Sequence, residues 1–132
     1  MNEIIDKLRK ELKKNIDKEY KKGSENFFKE DIVCYGVRSK DLKKITNDYY
    51  KQVKDLSKKE FLKICEDLLK TNYNEDAFIA IEWLRKRNNI YEEKDMIIFE
   101  RYIKRYLNNW AKIDLFCTHV VNPLIRKYPL NI

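Results

Sequence analysis

Two stretches of this sequence carry apolar side chains at the same helical spacing. In each stretch they recur at positions i, i+3, i+4, i+7 and i+8. The first set is Phe61, Ile64, Cys65, Leu68 and Leu69, and the second is Phe99, Tyr102, Ile103, Tyr106 and Leu107. This period places each set on one face of an α-helix. The sequence therefore predicts two amphipathic helices, and Ser57 with Glu60 forms a capping box before the first.

Glycine and proline are scarce throughout the chain. Only 2 glycines and 2 prolines occur among 132 residues, whereas an all-β domain needs many turns. Phe61 and Met96, and likewise Asn74 and Asn109, occupy corresponding positions in two hairpins about 35 residues apart, which is typical of helical-hairpin repeats. We therefore expect one all-α domain over residues 1–132, built of antiparallel hairpins stacked into a solenoid. An ordinary helical bundle is the alternative.

Local signals predict the ends of the other helices. The first helix is expected over residues 4–22, with Gly23 as its stop. Asn74 is expected to cap the helix that follows it. Pro123 is expected to break the helix that starts near Asn109, because proline lacks an amide proton, and to begin a further short helix.

The chain is strongly basic, with a formal net charge of +7 and a pI near 9.2. Such a surface favours polyanions, nucleic acid first and anionic membranes second. The excess of lysine over arginine, with abundant asparagine, isoleucine and tyrosine, is equally typical of an AT-rich genome. Charge alone therefore leaves nucleic-acid binding open.

The distribution of cysteine and histidine argues against a metal site. Cys34, Cys65 and Cys117 are widely spaced, and His119 is the only histidine. We therefore expect no metal and no other cofactor. Unpaired thiols and the lack of a signal peptide predict a cytoplasmic protein. The lack of a long apolar run predicts that it does not span a membrane. No glycine-rich phosphate loop or GxSxG motif occurs, so kinase and acyl-transfer chemistry find no support.

Trp110 and Asp114 are four residues apart on one expected helix, so their side chains share a face. A carboxylate in an apolar segment costs free energy unless it is hydrogen-bonded or faces water. An aromatic ring beside a carboxylate suits a cationic ligand. The alternative is structural, with tryptophan in the core and aspartate beside a helix N-terminus. Ile113, Phe116, Val120 and Leu124 are expected to supply the core contact on the opposite face.

A second candidate site lies at the start of the helix after Tyr35-Gly36-Val37. Arg38, Ser39, Lys40 and Lys43 are expected to contact a phosphate backbone, because a helix start offers amides and the lysines add positive charge. The alternative is a solvated helix start without a ligand.

Three segments together resemble the AlkD-like DNA alkylation repair family. They are Phe27-Phe28-Lys29 followed by Tyr35 to Ser39, Glu75 to Leu84, and Asn109 to Asp114 continuing to Pro129. The resemblance implies a HEAT-like solenoid with a basic face that binds duplex DNA as a monomer. It implies a DNA glycosylase that excises cationic N3- and N7-alkylpurines without fully extruding the base.

The same resemblance implies individual residue roles. Asp114 falls on the family's catalytic aspartate, Trp110 on its tryptophan, and Phe27 near an aromatic of the lesion cleft. Lys40 stands where the family often has proline, and family members continue through further helices that complete the cleft. We therefore expect the chain to correspond to the N-terminal half of the family fold, and we expect excision by this half alone to be feeble or absent. A non-catalytic helical-repeat module that binds nucleic acid or a protein is the alternative.

Overall fold

The computed structural model describes residues 2–27 and 32–128, and they are mainly helical. The helices are α1 (Glu3–Lys14), α2 (Lys18–Phe27), α3 (Ser39–Val53), α4 (Lys58–Lys70), α5 (Asn74–Lys86), α6 (Met96–Tyr106), α7 (Trp110–Phe116) and α8 (Asn122–Lys127). A π-helical turn (Cys117–Val121) joins α7 to α8, and two 3₁₀ turns (Asn88–Ile90 and Glu93–Asp95) lie between α5 and α6. Apart from two isolated β-bridges, these two ranges hold no strand. The all-α prediction is confirmed.

Helix α5 lies at the centre of the packing and contacts α3, α4, α7 and the π turn. Its sequence is apolar on nearly every side, which is typical of a helix with neighbours all round. The small residues Ala77 and Ala80 are buried, and so is Trp83. The Trp83 indole Nε1–H donates to the Thr46 carbonyl of α3 at 2.9 Å, so this large side chain is buried without losing its hydrogen bond.

Successive hairpins stack on one another. Helix α4 packs against α5 of its own hairpin and against α6 of the next, while α3, α5 and α7 follow one another in a second layer. The arrangement is consistent with a helical-repeat fold. Its assignment to the HEAT class, and the assignment of residues 1–132 to one domain, stay predictions. Among the helices of residues 2–27 and 32–128, none combines the length and the apolar character needed to cross a membrane.

The single first helix expected over residues 4–22 is wrong, because the chain forms two helices there. Asn15 ends α1 with its amide donating to the Leu12 carbonyl, and Ile16 forms a bridge with Val37. The Asp17 carboxylate then accepts the Tyr20 amide at the start of α2. Helix α2 runs through Gly23 rather than ending there. The break depends on a contact with residues 36–37, which local helix signals do not reveal.

The break expected at Pro123 is also wrong, but the further short helix expected there is confirmed as α8. The chain stays helical from Trp110 to Lys127 through the π turn. The Asn122 amide donates five residues back, to the Cys117 carbonyl, which widens the ladder of hydrogen bonds just before the proline. Pro123 then lies in the first turn of α8, where a missing amide proton is tolerated.

Candidate functional site

Helix α7 presents Trp110 and Asp114 to solvent. Its cap is Asn109, whose side-chain oxygen accepts the Lys112 amide at 2.9 Å. Trp110 is 63% exposed and Asp114 is also exposed. None of the ion pairs found within residues 2–27 and 32–128 involves Asp114. An aromatic ring and a carboxylate one turn apart are therefore both accessible to a ligand.

Lys112 holds α7 in this orientation, and sequence reasoning missed it. The side chain is buried and its Nζ donates to the Asn72 carbonyl at 3.3 Å and to the Asn108 side-chain oxygen at 3.1 Å. Burial lowers the pKa of its ammonium group. Asn72 adopts φ 65°, the left-handed region that asparagine tolerates. Because Lys112 points inward, Trp110 and Asp114 point outward.

The opposite face of α7 supplies the core contact, with one exception. Phe116, Val120 and Leu124 are buried. Ile113 was expected to join them and is instead 37% exposed. The helical wheel explains this difference, because Lys112 and Phe116 define the buried stripe and Ile113 lies at its edge.

The start of α3 carries the four expected phosphate contacts. Arg38 precedes the helix, and its Nε donates to an Asp17 carboxylate oxygen at 2.7 Å. The Ser39 hydroxyl lies 3.4 Å from the Tyr20 hydroxyl. Lys40 and Lys43 are exposed on the first turns. Arg38 is therefore paired with Asp17 through Nε, whereas the two lysines extend into solvent.

Glu75 fixes the segment that leads into α3. Its buried carboxylate accepts the backbone amides of Tyr35 at 3.1 Å, Gly36 at 2.9 Å and Val37 at 3.0 Å. Gly36 has φ 89°, and a Cβ there would lie 2.4 Å from the Cβ of Lys21. Tyr73 rather than Asn74 occupies the cap position of α5, so the cap expected at Asn74 is wrong. The acidic start of α5 binds a distant loop.

Asp76 is the second buried carboxylate at this helix start. It accepts the Thr71 hydroxyl at 2.6 Å and the Tyr35 hydroxyl at 3.3 Å, and the Arg9 Nε lies 3.7 Å away. Burial raises the pKa of Asp76 to about 6, although these neighbours act in the opposite direction. Among the residues that the structure describes, its Oδ1 atom has no hydrogen-bond partner. Both acidic residues therefore serve the interior of the fold.

A cavity of about 210 Å³ lies between the start of α3 and α7. Tyr20 and Ser24 of α2, Leu42 of α3, Phe78 of α5, and Ala111 and Leu115 of α7 form much of its wall. Trp110 and Asp114 are on the adjoining face of α7 and do not line it. Phe27 ends α2, three residues beyond Ser24, is 76% exposed and is also outside the wall. The cavity is therefore lined by neighbours of the expected site residues in α3 and α7, and not by those residues themselves.

A basic groove of about 370 Å³ continues from this cavity, and the two share Phe78 and Leu115. Lys43, Lys86 and His119 line the groove. Arg85 also lies there, but Glu82 binds it through Nε at 3.1 Å and Nη2 at 3.0 Å. The groove therefore adds positive charge on the side of α7 that carries Leu115. Within the described ranges no cluster of three or more histidine, cysteine, aspartate or glutamate side chains could hold a metal ion.

Residues 8–132 match the family model described as DNA alkylation repair enzyme. The chain belongs to this family. The match covers the Trp110–Asp114 pair, the start of α3 and the whole cavity wall. No curated protein and no solved structure matches the chain.

Membership of the DNA alkylation repair family supports a role in DNA repair and suggests interaction with DNA. The exposed cations at the start of α3 and the half-buried Lys86 of the basic groove suit such a partner. The family match assigns no role to an individual residue. Roles for the expected site residues therefore rest on their chemistry. These residues are Asp114, Trp110, Phe27, Arg38, Ser39, Lys40 and Lys43.

Proposed function

We propose that this protein is a DNA glycosylase that hydrolyses the N-glycosidic bond of cationic N3- and N7-alkylpurines in duplex DNA. The observation that carries the proposal is the exposed Trp110–Asp114 pair on α7, a helix whose other residues line a cavity and a basic groove. Membership of the DNA alkylation repair family supports a role in the repair of alkylated DNA.

The substrate supplies much of the chemistry itself. As the bond from the sugar C1′ to the purine nitrogen breaks, the bonding electron pair moves to the base and neutralises its positive charge. The base therefore leaves without a general acid. Positive charge develops on the sugar, and the oxygen of a water molecule then bonds to C1′ and loses a proton. The products are the neutral alkylpurine, an abasic sugar and a proton.

In this scheme Asp114 opposes the charge that develops on the sugar and orients the attacking water. Two unit charges 4 Å apart interact by about 4 kcal/mol at an effective dielectric constant near 20. Each ~1.4 kcal/mol is a factor of ten in rate, so Asp114 can contribute up to roughly a thousandfold. Trp110 packs against the deoxyribose and adds attraction between its ring and the cation.

The remaining site residues hold the DNA. Lys40 and Lys43 contact phosphates together with the amides at the start of α3, Ser39 adds a hydroxyl, and Arg38 exchanges its Asp17 partner for a phosphate. Phe27, which is exposed at the end of α2, borders the lesion. These contacts fix the duplex without reading its sequence.

Base release from matched duplexes tests the proposal. With the complete family cleft we expect release of N7-methylguanine and N3-methyladenine and none of unmodified guanine or of uracil, because only the cationic bases leave without protonation. DNA binding is measured on the same duplexes by fluorescence anisotropy. Binding without release would instead identify a non-catalytic DNA-binding module, and neither binding nor release would contradict a direct role on DNA.

A further inference from the structure

A second groove, of about 660 Å³, lies between α4 and α6, away from the residues proposed to act on DNA. Its wall comes from α4 and from residues 95–102, and we name it the α4–α6 groove. Trp110, Asp114 and the start of α3 belong to the other layer of helices, which α3, α5 and α7 form, and they do not line this groove. Its chemistry therefore has to be explained separately.

The α4–α6 groove has an apolar floor. Ile98 is half-buried there, beside the buried side chains of Leu62 and Tyr102. The Tyr102 hydroxyl donates to the Leu62 carbonyl at 3.3 Å, so the floor does not need a polar ligand to pair this group. The aliphatic stems of the cationic side chains around it add apolar surface. Such a floor favours contact with apolar side chains over contact with water.

The carboxylates in the wall of the groove already have partners. The Asp95 carboxylate accepts the Lys58 ammonium at 2.6 Å and the Glu92 amide at 2.7 Å. The Glu66 carboxylate accepts the Tyr106 hydroxyl at 2.8 Å. These two are the carboxylates of the wall, against four cations, so the wall is positively charged on balance.

Two of the cations are available to a ligand. Lys59 on α4 and Arg101 on α6 are exposed. None of the ion pairs found within residues 2–27 and 32–128 involves either of them. They stand on the two helices that flank the floor. An occupant with apolar groups along its centre and carboxylates at its edges is therefore complementary to the groove.

The shape of the groove suits a protein segment. The axes of packed neighbouring helices are about 8–10 Å apart, so the space between α4 and α6 admits a row of side chains and not a DNA duplex. Its volume of about 660 Å³ lies within the ~300–1,000 Å³ of ligand sites. An amphipathic helix presents such a row at positions i, i+3, i+4 and i+7, and it binds apolar grooves in this way.

We propose that the α4–α6 groove binds an acidic amphipathic helix of a partner protein. The apolar side chains of that helix contact Leu62, Ile98 and Tyr102, and its carboxylates pair with Lys59 and Arg101. The proposal is independent of the proposed function, because no residue assigned to DNA or to base release lines the groove. Partner and DNA should therefore be bound at the same time.

A synthetic helix tests the apolar contact. A fluorescein-labelled peptide of about 15 residues carries leucine at i, i+3, i+4 and i+7 and glutamate at the flanking positions. It should bind the whole protein saturably in fluorescence anisotropy, and a scrambled peptide of the same composition about tenfold more weakly. Ile98→Ala should weaken binding by about tenfold. Ile97→Ala makes the same truncation at the next residue, which is exposed outside the groove wall, and should bind like the wild type.

A charge exchange tests the two cations without depending on stability. Lys59→Glu with Arg101→Glu should weaken binding of the acidic peptide by about tenfold or more. The same double variant should bind a peptide with lysine in place of glutamate, which the wild type should not bind. Lys13→Glu with Lys14→Glu changes the net charge equally at exposed positions outside the groove and should bind the acidic peptide normally. Unfolding would not produce this exchange of preference.

The proposal is overturned if the wild type shows no saturable binding, or if it binds the ordered and scrambled peptides equally. Displacement of the peptide by undamaged duplex DNA at physiological salt would also overturn it, since that result would make the groove part of the DNA-binding surface. Base release from alkylated duplex is measured separately, so its loss with peptide binding retained would contradict the proposed function alone.

Discussion

Glu75 of α5 and Asp114 of α7 are both helical carboxylates, but they lie in opposite environments. Glu75 is buried at the start of α5 and accepts three backbone amides. Asp114 is exposed on α7, with no ion pair in the described part of the chain. A carboxylate whose oxygens are already occupied serves the fold, whereas one that faces water is available to a cation.

The largest expected effect is on the free energy of unfolding and concerns Glu75. Glu75→Gln replaces an acceptor oxygen with an amino group that faces backbone N–H donors. We expect a loss of about 3–5 kcal/mol in the free energy of unfolding, as for other broken buried charge networks. Urea denaturation measures it. A loss below about 1 kcal/mol would mean that the segment of residues 35–37 is held by its other contacts.

The same isosteric change at Asp114 should act on catalysis. Asp114→Asn should lower single-turnover base release by about 10²–10³-fold, since it removes the charge that faces the developing cation. The free energy of unfolding should change by less than about 0.5 kcal/mol, because the side chain is exposed. Asp55→Asn, another exposed aspartate, is the matched control and should be active. Equal activity of the two variants would remove Asp114 from the mechanism.

The sequence predicts the features of α5 and α7 that depend on neighbouring residues. It does not predict those that depend on contacts between residues far apart along the chain. The stripes at Phe61–Leu69 and Phe99–Leu107 predict α4 and α6 because helix periodicity is local. The i, i+4 spacing of Trp110 and Asp114 likewise predicts a shared face, as found. The partners of Glu75 are 38 to 40 residues away in sequence, and nothing near Glu75 indicates them.

Lys112 shows the same limit within the site itself. Its partner Asn72 is 40 residues away, so the sequence offers no reason for this lysine to point inward. The break at Asn15 to Asp17 also depends on a distant segment. Gly36 is the local sequence feature that marks the distant segment of residues 36–37 as a turn, because its φ of 89° favours glycine.

Asp76 should make the free energy of unfolding depend on pH. Burial raises the pKa of Asp76 to about 6 from an ordinary value of 3.8, so between these values the native state holds a proton that the unfolded chain releases. Through this group, stability rises as pH falls from about 7 to 4, by up to about 3 kcal/mol at ~1.4 kcal/mol per pKa unit. Urea denaturation of Asp76→Asn and wild type at several pH values measures the difference. A constant difference would mean that Asp76 stays charged throughout.

Electrostatic attraction at the start of α3 should have a smaller effect, seen in the salt dependence of binding. Lys40→Glu with Lys43→Glu should weaken binding to undamaged duplex DNA and reduce the slope of log K against log salt by up to about 0.9 for each phosphate that is no longer neutralised. Lys13→Glu with Lys14→Glu, at the exposed end of α1, changes the net charge equally. Equal weakening in both double variants would indicate general attraction rather than phosphate binding at α3.

The smallest expected effect concerns Trp110. Its ring is 63% exposed, so Trp110→Ala removes little core packing and should leave the melting temperature unchanged. Attraction between an aromatic ring and a cation contributes about 0.5–2 kcal/mol, and more where the site is less hydrated. The rate of base release should therefore fall by roughly tenfold. Binding to undamaged DNA lacks the sugar cation and should fall by less. Ile97→Ala, which truncates a 73% exposed side chain on α6, controls for the loss of surface apolar area. If Trp110→Ala lowers binding and release equally, the tryptophan holds the duplex rather than the transition state, and Asp114 alone distinguishes α7 from α5.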